Sequence, residues 1–190
     1  GRQGISQGGM PVVAGRAYQV SMYLKATGSA APVTVTLGPN TGDRPGYPAY
    51  ATGSFSGVTG TWAKYTTTLT PSTTDTLAKL QISATGVGVL SVDMVSVMPT
   101  HPSEVVHGGW RTDFVNALVA LNPRSLRWPG GIIADSYNWK DGVGARDTRR
   151  PQYYGQWNSS WMTNDVGTHE ILTLGEALGI PVILNVNWGG

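Results

Sequence analysis

The sequence predicts a β-sandwich over residues 1–100, followed by a unit of alternating helices and strands over residues 101–190. Up to residue 100 the chain is rich in Gly, Thr, Ser, Ala and Val and has few charged residues, which is typical of β-structure. After residue 100, clustered charges and two stretches with helical spacing of apolar residues appear. A segment with two prolines and a histidine at 99–102 marks the boundary between two domains.

Alternation of apolar and polar residues predicts the strands of the first domain. In the segment 17–26, Tyr18, Val20, Met22 and Leu24 fall on one side, as in a half-buried strand. Similar short segments follow with Gly, Pro and Thr between them and no helical stretch, which indicates an antiparallel sandwich. These further strands are predicted at 32–37, 63–69, 77–83 and 87–98.

The segment 38–54 interrupts these strands, because its many Gly and Pro residues predict a long loop. Tyr47 and Tyr50 lie in this loop, and we interpret them as exposed residues that could contact a ligand. Trp62 and Tyr65 belong to the strand at 63–69 and its entry, so we expect both of them in the core of the sandwich.

The second domain begins with a predicted helix of about ten residues. Phe114, Ala117, Leu118 and Leu121 share one face, Thr112 and Asp113 precede them as cap and first-turn acid, and Asn122-Pro123 ends the helix. A short strand at 125–128 and a loop of about thirty residues follow, and a loop of that length is usually functional.

A second helix and a second strand complete the chain. Caps at Thr163, Asn164 or Asp165 and a stop at Gly179 bound the helix, while the nearly continuous apolar run at 181–187 predicts a strand buried in a parallel sheet. Helix, strand, helix and strand in this order fit either part of a barrel or half of a doubly wound sheet.

The composition excludes several kinds of partner. The formal net charge is only +2 with scattered Lys and Arg, whereas nucleic-acid-binding proteins concentrate these residues on one face. The small cluster of Arg146, Arg149 and Arg150 is interpreted as a loop that pairs with Asp141 and Asp147. No apolar run approaches the roughly 20 residues of a membrane span. We therefore expect neither a nucleic-acid partner nor a membrane partner.

The side chains that usually hold metals are also missing from the expected patterns. Cysteine is absent, which excludes disulfides, thiolate metal sites and cysteine nucleophiles. His169-Glu170 begins a zinc-protease pattern, but Thr173 occupies the position of its second histidine. The sandwich has no acidic cluster that could bind calcium. We expect no metal and no cofactor.

Several motifs of the second domain appear together and in a defined order. They are GWRTD at 109–113, SLRWPGG at 125–131, SYNWKDGVG at 136–144, RP at 150–151, TNDVGTHE at 163–170 and NVN at 185–187. Together they resemble the family 51 α-L-arabinofuranosidases, over nearly all of residues 109–190. The resemblance implies that the second domain is the beginning of a catalytic (β/α)8 TIM barrel.

The first domain is similar to the jelly-roll-like, carbohydrate-binding-module-like sandwich that some members insert between the first barrel strand and the first barrel helix. GTWAKY at 60–65 and VDMVSV at 92–97 are the matching segments. If this insertion is present, the first barrel strand precedes Gly1, and the absence of an initiator Met also suggests that the chain begins inside a longer one. We expect a secreted or periplasmic protein.

The resemblance implies a retaining glycoside hydrolase that releases terminal α-L-arabinofuranose from plant cell-wall polysaccharides such as arabinoxylan. Retaining hydrolysis needs two carboxyl groups about 5 Å apart, but Asp135, Asp141 and Asp147 all lie in one loop after one strand. In the family, the two catalytic glutamates follow later strands. We therefore expect no catalytic residue in this chain, no activity of the chain alone, and the remainder of the polypeptide as its partner.

The same resemblance suggests one wall of a sugar-binding pocket. Arg127 matches an arginine that lines the arabinose subsite, although it could also brace the barrel mouth. Trp157 matches an aromatic wall, Trp139 and Trp161 lie in the same loop, and each tryptophan could instead belong to the core. Asn185 and Asn187 end the last strand, where they could face the barrel mouth or cap the following loop. Ile132 replaces a polar residue that often touches the sugar, which affects the sugar specificity.

Three alternatives remain open at this stage. An endo-β-glucanase of the same family would need an open cleft in place of a pocket. A non-catalytic carbohydrate-binding module with a barrel stub would bind polysaccharide through the sandwich, at Tyr47 and Tyr50. A purely structural role for the sandwich predicts no polysaccharide binding.

Overall fold

A computed structural model of the chain describes residues 3–28, 32–40, 48–155 and 159–188. They belong to two compact units, Gly1–Glu104 and Val105–Gly190. The division between the units lies close to the domain boundary that the sequence predicts at residue 100.

The first unit is a sandwich of two antiparallel sheets. Its strands are β1 (Gln3–Val12), β2 (Tyr18–Gly28), β3 (Val33–Gly38), β4 (Ala51–Phe55), β5 (Ala63–Leu69), β6 (Asp75–Ala84) and β7 (Gly88–Pro99). A four-stranded sheet has the order β1-β6-β3-β4, and a three-stranded sheet has the order β5-β2-β7. The predicted sandwich is therefore confirmed, and β5 has the bounds that the sequence predicts.

The core of the sandwich follows from the alternation along its strands. Val20, Met22 and Leu24 of β2 are completely buried, while the residues between them point outward, because successive side chains of a strand point to opposite faces. Val33 and Val35 of β3 contribute to the same core from the other sheet. Each such aliphatic side chain stabilises the fold by about 1.5–3 kcal/mol.

Two strands differ from the sequence prediction. β1 is an edge strand whose residues are mostly exposed, so its Gly-rich segment shows none of the alternation that a buried face imposes. All of β4 except its last residue, Phe55, falls within the segment 38–54, which the sequence predicts entirely as loop. It pairs with β3 from Val33↔Phe55 to Leu37↔Ala51, and only this pairing makes Ala51–Phe55 a strand.

Trp62 is also placed differently, because its side chain is 47% exposed and the prediction of a core residue is wrong. The residue lies immediately before β5, and the Lys25 Nζ atom is 5.2 Å from the centroid of its ring. Tyr65, in contrast, packs against the core of the sandwich and forms a ring contact with Phe55.

The second unit contains two helices and a parallel strand pair. Its elements are β8 (Val105–Val106), β9 (Trp110–Arg111), α1 (Thr112–Leu121), β10 (Leu126–Trp128), β11 (Gln152–Tyr154), β12 (Ser160–Met162), α2 (Thr168–Leu178) and β13 (Val182–Leu184). β10 and β13 are parallel, with Arg127 opposite Ile183 and Trp128 opposite Leu184. No helix in the described part of the chain is long and apolar enough to cross a membrane.

Helix α2 lies against the parallel pair through Gly175. A Cβ atom at Gly175 would collide with Val182 Cγ2 and lie 2.8 Å from the Ile180 carbonyl oxygen, so the helix approaches β13 at a residue without a side chain. Val182 therefore faces α2. Because neighbouring residues of a strand face opposite sides, Ile183 and its partner Arg127 lie on the side away from α2.

The start of α2 differs from the prediction. The helix begins at Thr168 with Gly167 as its N-cap, so Thr163, Asn164 and Asp165 do not cap it. The Gly167 N–H donates to Glu170 Oε2 at 2.9 Å, and this carboxylate satisfies an N–H at the helix start in place of the predicted caps.

The end of α1 gives a first testable prediction. Asn122 is the C-cap with φ of 47°, in the left-handed region that β-branched residues avoid. Asn122→Val should lower the free energy of unfolding by about 1–2 kcal/mol, whereas Asn122→Gly should leave it nearly unchanged. Urea titration followed by tryptophan fluorescence measures both variants, and equal midpoints for them would contradict the assigned backbone conformation.

Candidate functional site

A cavity of about 220 Å³ lies at the carboxyl ends of β10 and β13. Trp128 and Leu184, which pair in register as the last residues of these strands, both line it. Active sites of (β/α) barrels form at this end of the strands. This cavity lies on the side of α2, because Leu184 is two residues from Val182 and therefore shares its side. The complete lining is Trp128, Pro129, Trp139, Thr168, Leu184, Asn185 and Val186.

Trp139 is the predicted aromatic residue that the structure brings to this cavity. It begins a 3-10 turn at Trp139–Gly142, whose start is held by a hydrogen bond from the Lys140 N–H to Asn138 Oδ1. The Trp139 side chain is 51% exposed, so its ring is accessible to a ligand. Trp128 adds a buried indole Nε1 atom with no hydrogen-bond partner among the described residues.

Asn185 also lines the cavity, but its side chain has a structural partner. Its Nδ2 atom donates to the Pro129 carbonyl at 2.8 Å, and its backbone N–H donates to the Trp128 carbonyl at 2.7 Å. Asn185 thus ties together the ends of β10 and β13. Asn187 is exposed and does not line this cavity.

Arg127 lies outside the cavity lining, in the middle of β10. Its side chain is exposed, and its Nη2 atom would be 3.4 Å from a Cβ atom placed on Gly130. The guanidinium therefore lies beside the glycine turn that follows β10. Since the side away from α2 is the interior in a (β/α) barrel, Arg127 has the position of an inward-facing residue near the strand ends.

Two predicted candidates, Tyr47 and Trp157, lie outside the described residues. Tyr50 is described, but it is not the exposed ring that the sequence suggests. It is half-buried against the sandwich core, and its hydroxyl donates to Asp75 Oδ2 at 3.0 Å. This hydroxyl joins the loop before β4 to the start of β6.

The long loop between β10 and α2 is fastened by a buried ion pair. Arg149 donates from Nη1 to Glu170 Oε2 at 2.6 Å and from Nη2 to Glu170 Oε1 at 2.8 Å. The same guanidinium donates to the Gly144 and Asn164 carbonyls at 2.7 Å each. Arg146 and Arg149 of the arginine cluster thus pair with Glu170 on helix α2, a partner that the sequence does not predict.

The carboxylate of Glu170 is held in its ionised form. Burial is the largest influence and by itself raises the pKa, but the hydrogen bonds from Arg149 and from the Gly167 N–H together lower the pKa of Glu170 below its ordinary value. Arg146 Nε approaches Glu170 Oε1 at 3.5 Å. These contacts with Glu170 stabilise the loop. No motif or spacing in the sequence predicts the pairing of Arg149 with Glu170.

Asn164 closes the base of the β11–β12 hairpin. Its side chain is almost completely buried, its Nδ2 atom donates to the Arg150 carbonyl at 2.7 Å, and its φ angle is 61°. Gln152 Nε2 donates to Asp141 Oδ2 at 2.8 Å, so the hairpin is also bonded to the turn that carries Trp139. These contacts hold the Trp139 turn in one position.

The hairpin carries an aromatic pair that the sequence reasoning missed in part. Tyr153 and Trp161 face each other across β11 and β12, with ring centroids 5.3 Å apart, and are 53% and 66% exposed. The sequence suggested Trp161 only as one of several loop tryptophans, and Tyr153 not at all. Within the described ranges, no group of three or more His, Asp or Glu side chains could hold a metal ion.

Comparisons with known proteins agree with this architecture. Residues 117–190 match the family described as α-L-arabinofuranosidase 1 domain, and residues 2–87 match the family described as carbohydrate binding domain. An intracellular exo-α-L-arabinofuranosidase of Bacteroides ovatus is 43% identical over 81 residues, which are 43% of this chain and 16% of that protein. α-L-Arabinofuranosidase 1 of Arabidopsis thaliana is 30% identical over 189 residues, which are 95% of this chain and 27% of that protein.

A solved structure extends the comparison to the fold. An arabinose-bound family 51 α-L-arabinofuranosidase, MgGH51, matches 100% of this chain and 33% of its own chain, with a TM-score of 0.80 at 23% identity. The predicted sandwich followed by part of a (β/α) barrel is thereby confirmed. The chain spans only 16% and 27% of the two curated relatives.

Proposed function

The chain belongs to the family 51 α-L-arabinofuranosidases, and from this premise we propose that it forms part of a retaining hydrolase that releases terminal α-L-arabinofuranose from plant cell-wall polysaccharides. The observation that carries the proposal is the position of Arg127, on the side of β10 away from α2 and beside the glycine turn that follows this strand. Arabinose-containing polysaccharide is the substrate, and the names of the relatives support this choice.

The part of the reaction that falls to this chain is binding and orientation. Retention requires a nucleophilic carboxylate and an acid/base carboxyl group about 5 Å apart, and both belong to the later strands of the barrel in this proposal. Trp139 would stack on the apolar C–H surface of the sugar ring. The turn that carries Trp139 is held by hydrogen bonds, so the indole ring would keep the same position before and after substrate binding.

Arg127 supplies the charge at this end of the barrel. A guanidinium can donate to sugar hydroxyls and to a carboxylate at the same time, because its N–H groups form a planar fork. Among the described residues Arg127 has no ion-pair partner, so its donors are available to substrate or to an acid from another strand. Its positive charge would lower the pKa of a neighbouring carboxyl group and keep it ionised.

The location of the protein stays a prediction. A secreted or periplasmic protein fits a polymeric plant substrate, whereas several of the similar proteins are named as intracellular. An intracellular member would act on short arabinose-containing oligosaccharides in place of the polymer.

Arabinose release tests the proposed function. The chain Gly1–Gly190 should release no product from p-nitrophenyl α-L-arabinofuranoside, and the longer polypeptide that continues the barrel should release it. Arabinoxylan should lose arabinose without a fall in viscosity. A rapid fall in the viscosity of a β-glucan solution, without arabinose release, would support the endo-glucanase and overturn the proposal.

Arg127→Ala in the longer polypeptide should lower kcat/KM for the aryl arabinofuranoside by about 10- to 100-fold, the loss expected for hydrogen bonds to a charged group. Arg124→Ala, an exposed arginine just before β10, is the matched control and should keep the wild-type rate. Equal values of kcat/KM for both variants would indicate that Arg127 only braces the barrel mouth and does not contact the substrate.

A further inference from the structure

The β11–β12 hairpin carries two aromatic rings on its outer face and packs against the second unit with its inner face. Tyr153 lies directly opposite Trp161 at the centre of the hairpin, and both side chains are exposed. Tyr154, the next residue of β11, is buried, because neighbouring residues of a strand point to opposite faces. We name Tyr153 and Trp161 the hairpin aromatic pair.

Polar contacts fix the hairpin from its inner face. The Tyr154 hydroxyl donates to Gln152 Oε1 at 2.5 Å, and Gln152 Nε2 donates to Asp141 Oδ2 at 2.8 Å. Asn164, shortly after β12, donates from Nδ2 to the carbonyl of Arg150, shortly before β11. The inner face therefore anchors the hairpin, and the outer face is available for another role.

The two rings of the pair form a stepped surface that is open to solvent. Their centroids are 5.3 Å apart and their planes are inclined by 55°, so each ring covers only part of one face of the other. Trp161 is 66% exposed, which requires that its second face is in contact with water. Lysine ammonium groups lie beside the rings of Tyr23, Trp62 and Trp139, whereas the pair forms no such contact with a described residue.

The exposed surface of the pair has the size of a contact with a sugar. A buried aromatic side chain covers about 150–250 Å², so two rings that are little more than half exposed offer at most a few hundred Å². A stable protein interface buries about 800 Å² on each partner. The flanking residues Gly155 and Ser160 are small and add no large apolar surface. The pair therefore fits a narrow ligand better than a protein surface.

The hairpin strands also indicate the charge and shape of the ligand. β11 consists of Gln, Tyr and Tyr, and β12 consists of Ser, Trp and Met, so neither strand supplies a counter-charge for an ionic ligand. Pyranose sugars in β-1,4 linkage have flat C–H faces that stack on aromatic rings. Successive sugars of such a chain are rotated relative to each other, as the two aromatic planes are. Furanose rings are smaller and lack an equally flat face.

The position of the hairpin relates it to the proposed substrate. The hairpin belongs to the loop that follows β10, and (β/α) barrels bind their substrates at this end of the strands. Through Gln152 and Asp141 it is bonded to the turn that begins at Trp139. A polysaccharide whose arabinose side group enters the barrel extends past the rim with its backbone, and the hairpin aromatic pair is an exposed part of that rim.

We propose that the hairpin aromatic pair binds the backbone of the polysaccharide, a neutral chain of β-1,4-linked pyranose sugars. One sugar ring stacks on Trp161, and the next contacts Tyr153. The inference rests on the proposed function and adds to it the sugars that carry the released arabinose. Binding at the pair favours a polymeric or oligomeric substrate over an isolated arabinofuranoside, because only the former reaches both sites.

Two-dimensional NMR of the isotope-labelled chain Gly1–Gly190 tests the pair with xylohexaose, an unbranched neutral β-1,4-linked oligomer. Each of the seven tryptophans should give one indole N–H signal, and the signal that is missing from Trp161→Phe identifies Trp161. This signal should shift progressively and saturate as xylohexaose is added. The signal of Trp62, assigned in the same way with Trp62→Phe, should stay in place.

Ring shape provides a matched pair of variants for the longer polypeptide. Trp161→Leu keeps an apolar side chain without a flat ring, and it should lower kcat/KM for arabinose release from an arabinose-substituted xylooligosaccharide about 3- to 10-fold relative to methyl α-L-arabinofuranoside. Trp161→Phe keeps a flat ring and should lower this ratio less than about twofold. A purely structural role of Trp161 would lower kcat/KM equally for both substrates.

An unchanged Trp161 signal would overturn the proposal, as would a shift confined to Trp62 or equal losses on both substrates in Trp161→Leu. An equal shift with an α-1,5-linked arabinofuranose oligomer would overturn the pyranose ligand. The titration of the wild-type chain decides the question if Trp161→Leu fails to fold. Because this titration needs no hydrolysis, a shift of Trp161 without arabinose release by the longer polypeptide would identify a failure of the proposed function instead.

Discussion

Glu170→Gln should lower the free energy of unfolding of the second unit by about 3–5 kcal/mol at neutral pH. The change leaves the Arg149 guanidinium, whose side chain is 1% exposed, without its carboxylate. A buried cation that loses its counter-charge costs far more than an exposed pair contributes. The remaining bonds from Arg149 to the Gly144 and Asn164 carbonyls solvate the cation but do not neutralise it.

The same carboxylate makes the second unit sensitive to acid. Because the pKa of Glu170 is lower in the folded chain than its ordinary value of 4.5, its contribution is complete above that value. It is lost as the pH falls through the folded pKa. The Glu170→Gln variant should therefore lose the part of the acid dependence that the wild-type chain shows below about pH 4.5.

Urea unfolding at pH 7 and in acid measures both effects. Six of the seven tryptophans, all except Trp62, belong to the second unit, so tryptophan fluorescence reports mainly on that unit. Glu176→Gln changes an exposed glutamate on the same helix and should shift the midpoint only slightly. A Glu170→Gln midpoint equal to that of the control would show that the ion pair contributes nothing measurable.

Gly142→Ala should destabilise the same unit by about 1–3 kcal/mol or more, as overpacking does where the backbone cannot move. A Cβ atom at Gly142 would collide with the Tyr137 hydroxyl and lie 2.7 Å from the Thr168 backbone nitrogen. The reverse contact is equally close, since a Cβ atom at Gly167 would lie 2.5 Å from Gly142 Cα. The Trp139 turn and the start of α2 thus meet through two glycines.

Gly155→Ala is the control for this prediction, because its Cβ atom would lie 3.5 Å from Tyr153, an ordinary contact distance. In urea, the free energies of unfolding of the two alanine variants should differ by more than about 1 kcal/mol, a factor of about five in the equilibrium constant. In the longer polypeptide, Gly142→Ala should also raise KM for the aryl arabinofuranoside, because it displaces the Trp139 turn. An unchanged midpoint would mean that the two loops do not meet at these glycines.

Local patterns in the sequence determined much of the architecture. Alternation predicted the strands with a buried face, most clearly β2 and β5, because burial on one side imposes a period of two residues. Helical spacing and the Asn122 and Gly179 stops predicted the two helices and their C-terminal ends. The motifs from 109 to 190 identified the barrel, because a functional site retains side chains that no secondary structure requires.

Tertiary structure alone decided which side chains meet. Trp62, one residue before β5, lies on the surface because it shares the outward phase of Lys64, whereas Tyr65 has the inward phase. Tyr50 forms a hydrogen bond with Asp75, Arg149 with Glu170, and Asn185 with the Pro129 carbonyl. In each pair the partners are 15 or more residues apart in the sequence. The periodicity of apolar residues in the sequence shows which face of a helix or strand a residue occupies. Its hydrogen-bond partner is distant in the sequence and is determined only by the tertiary structure.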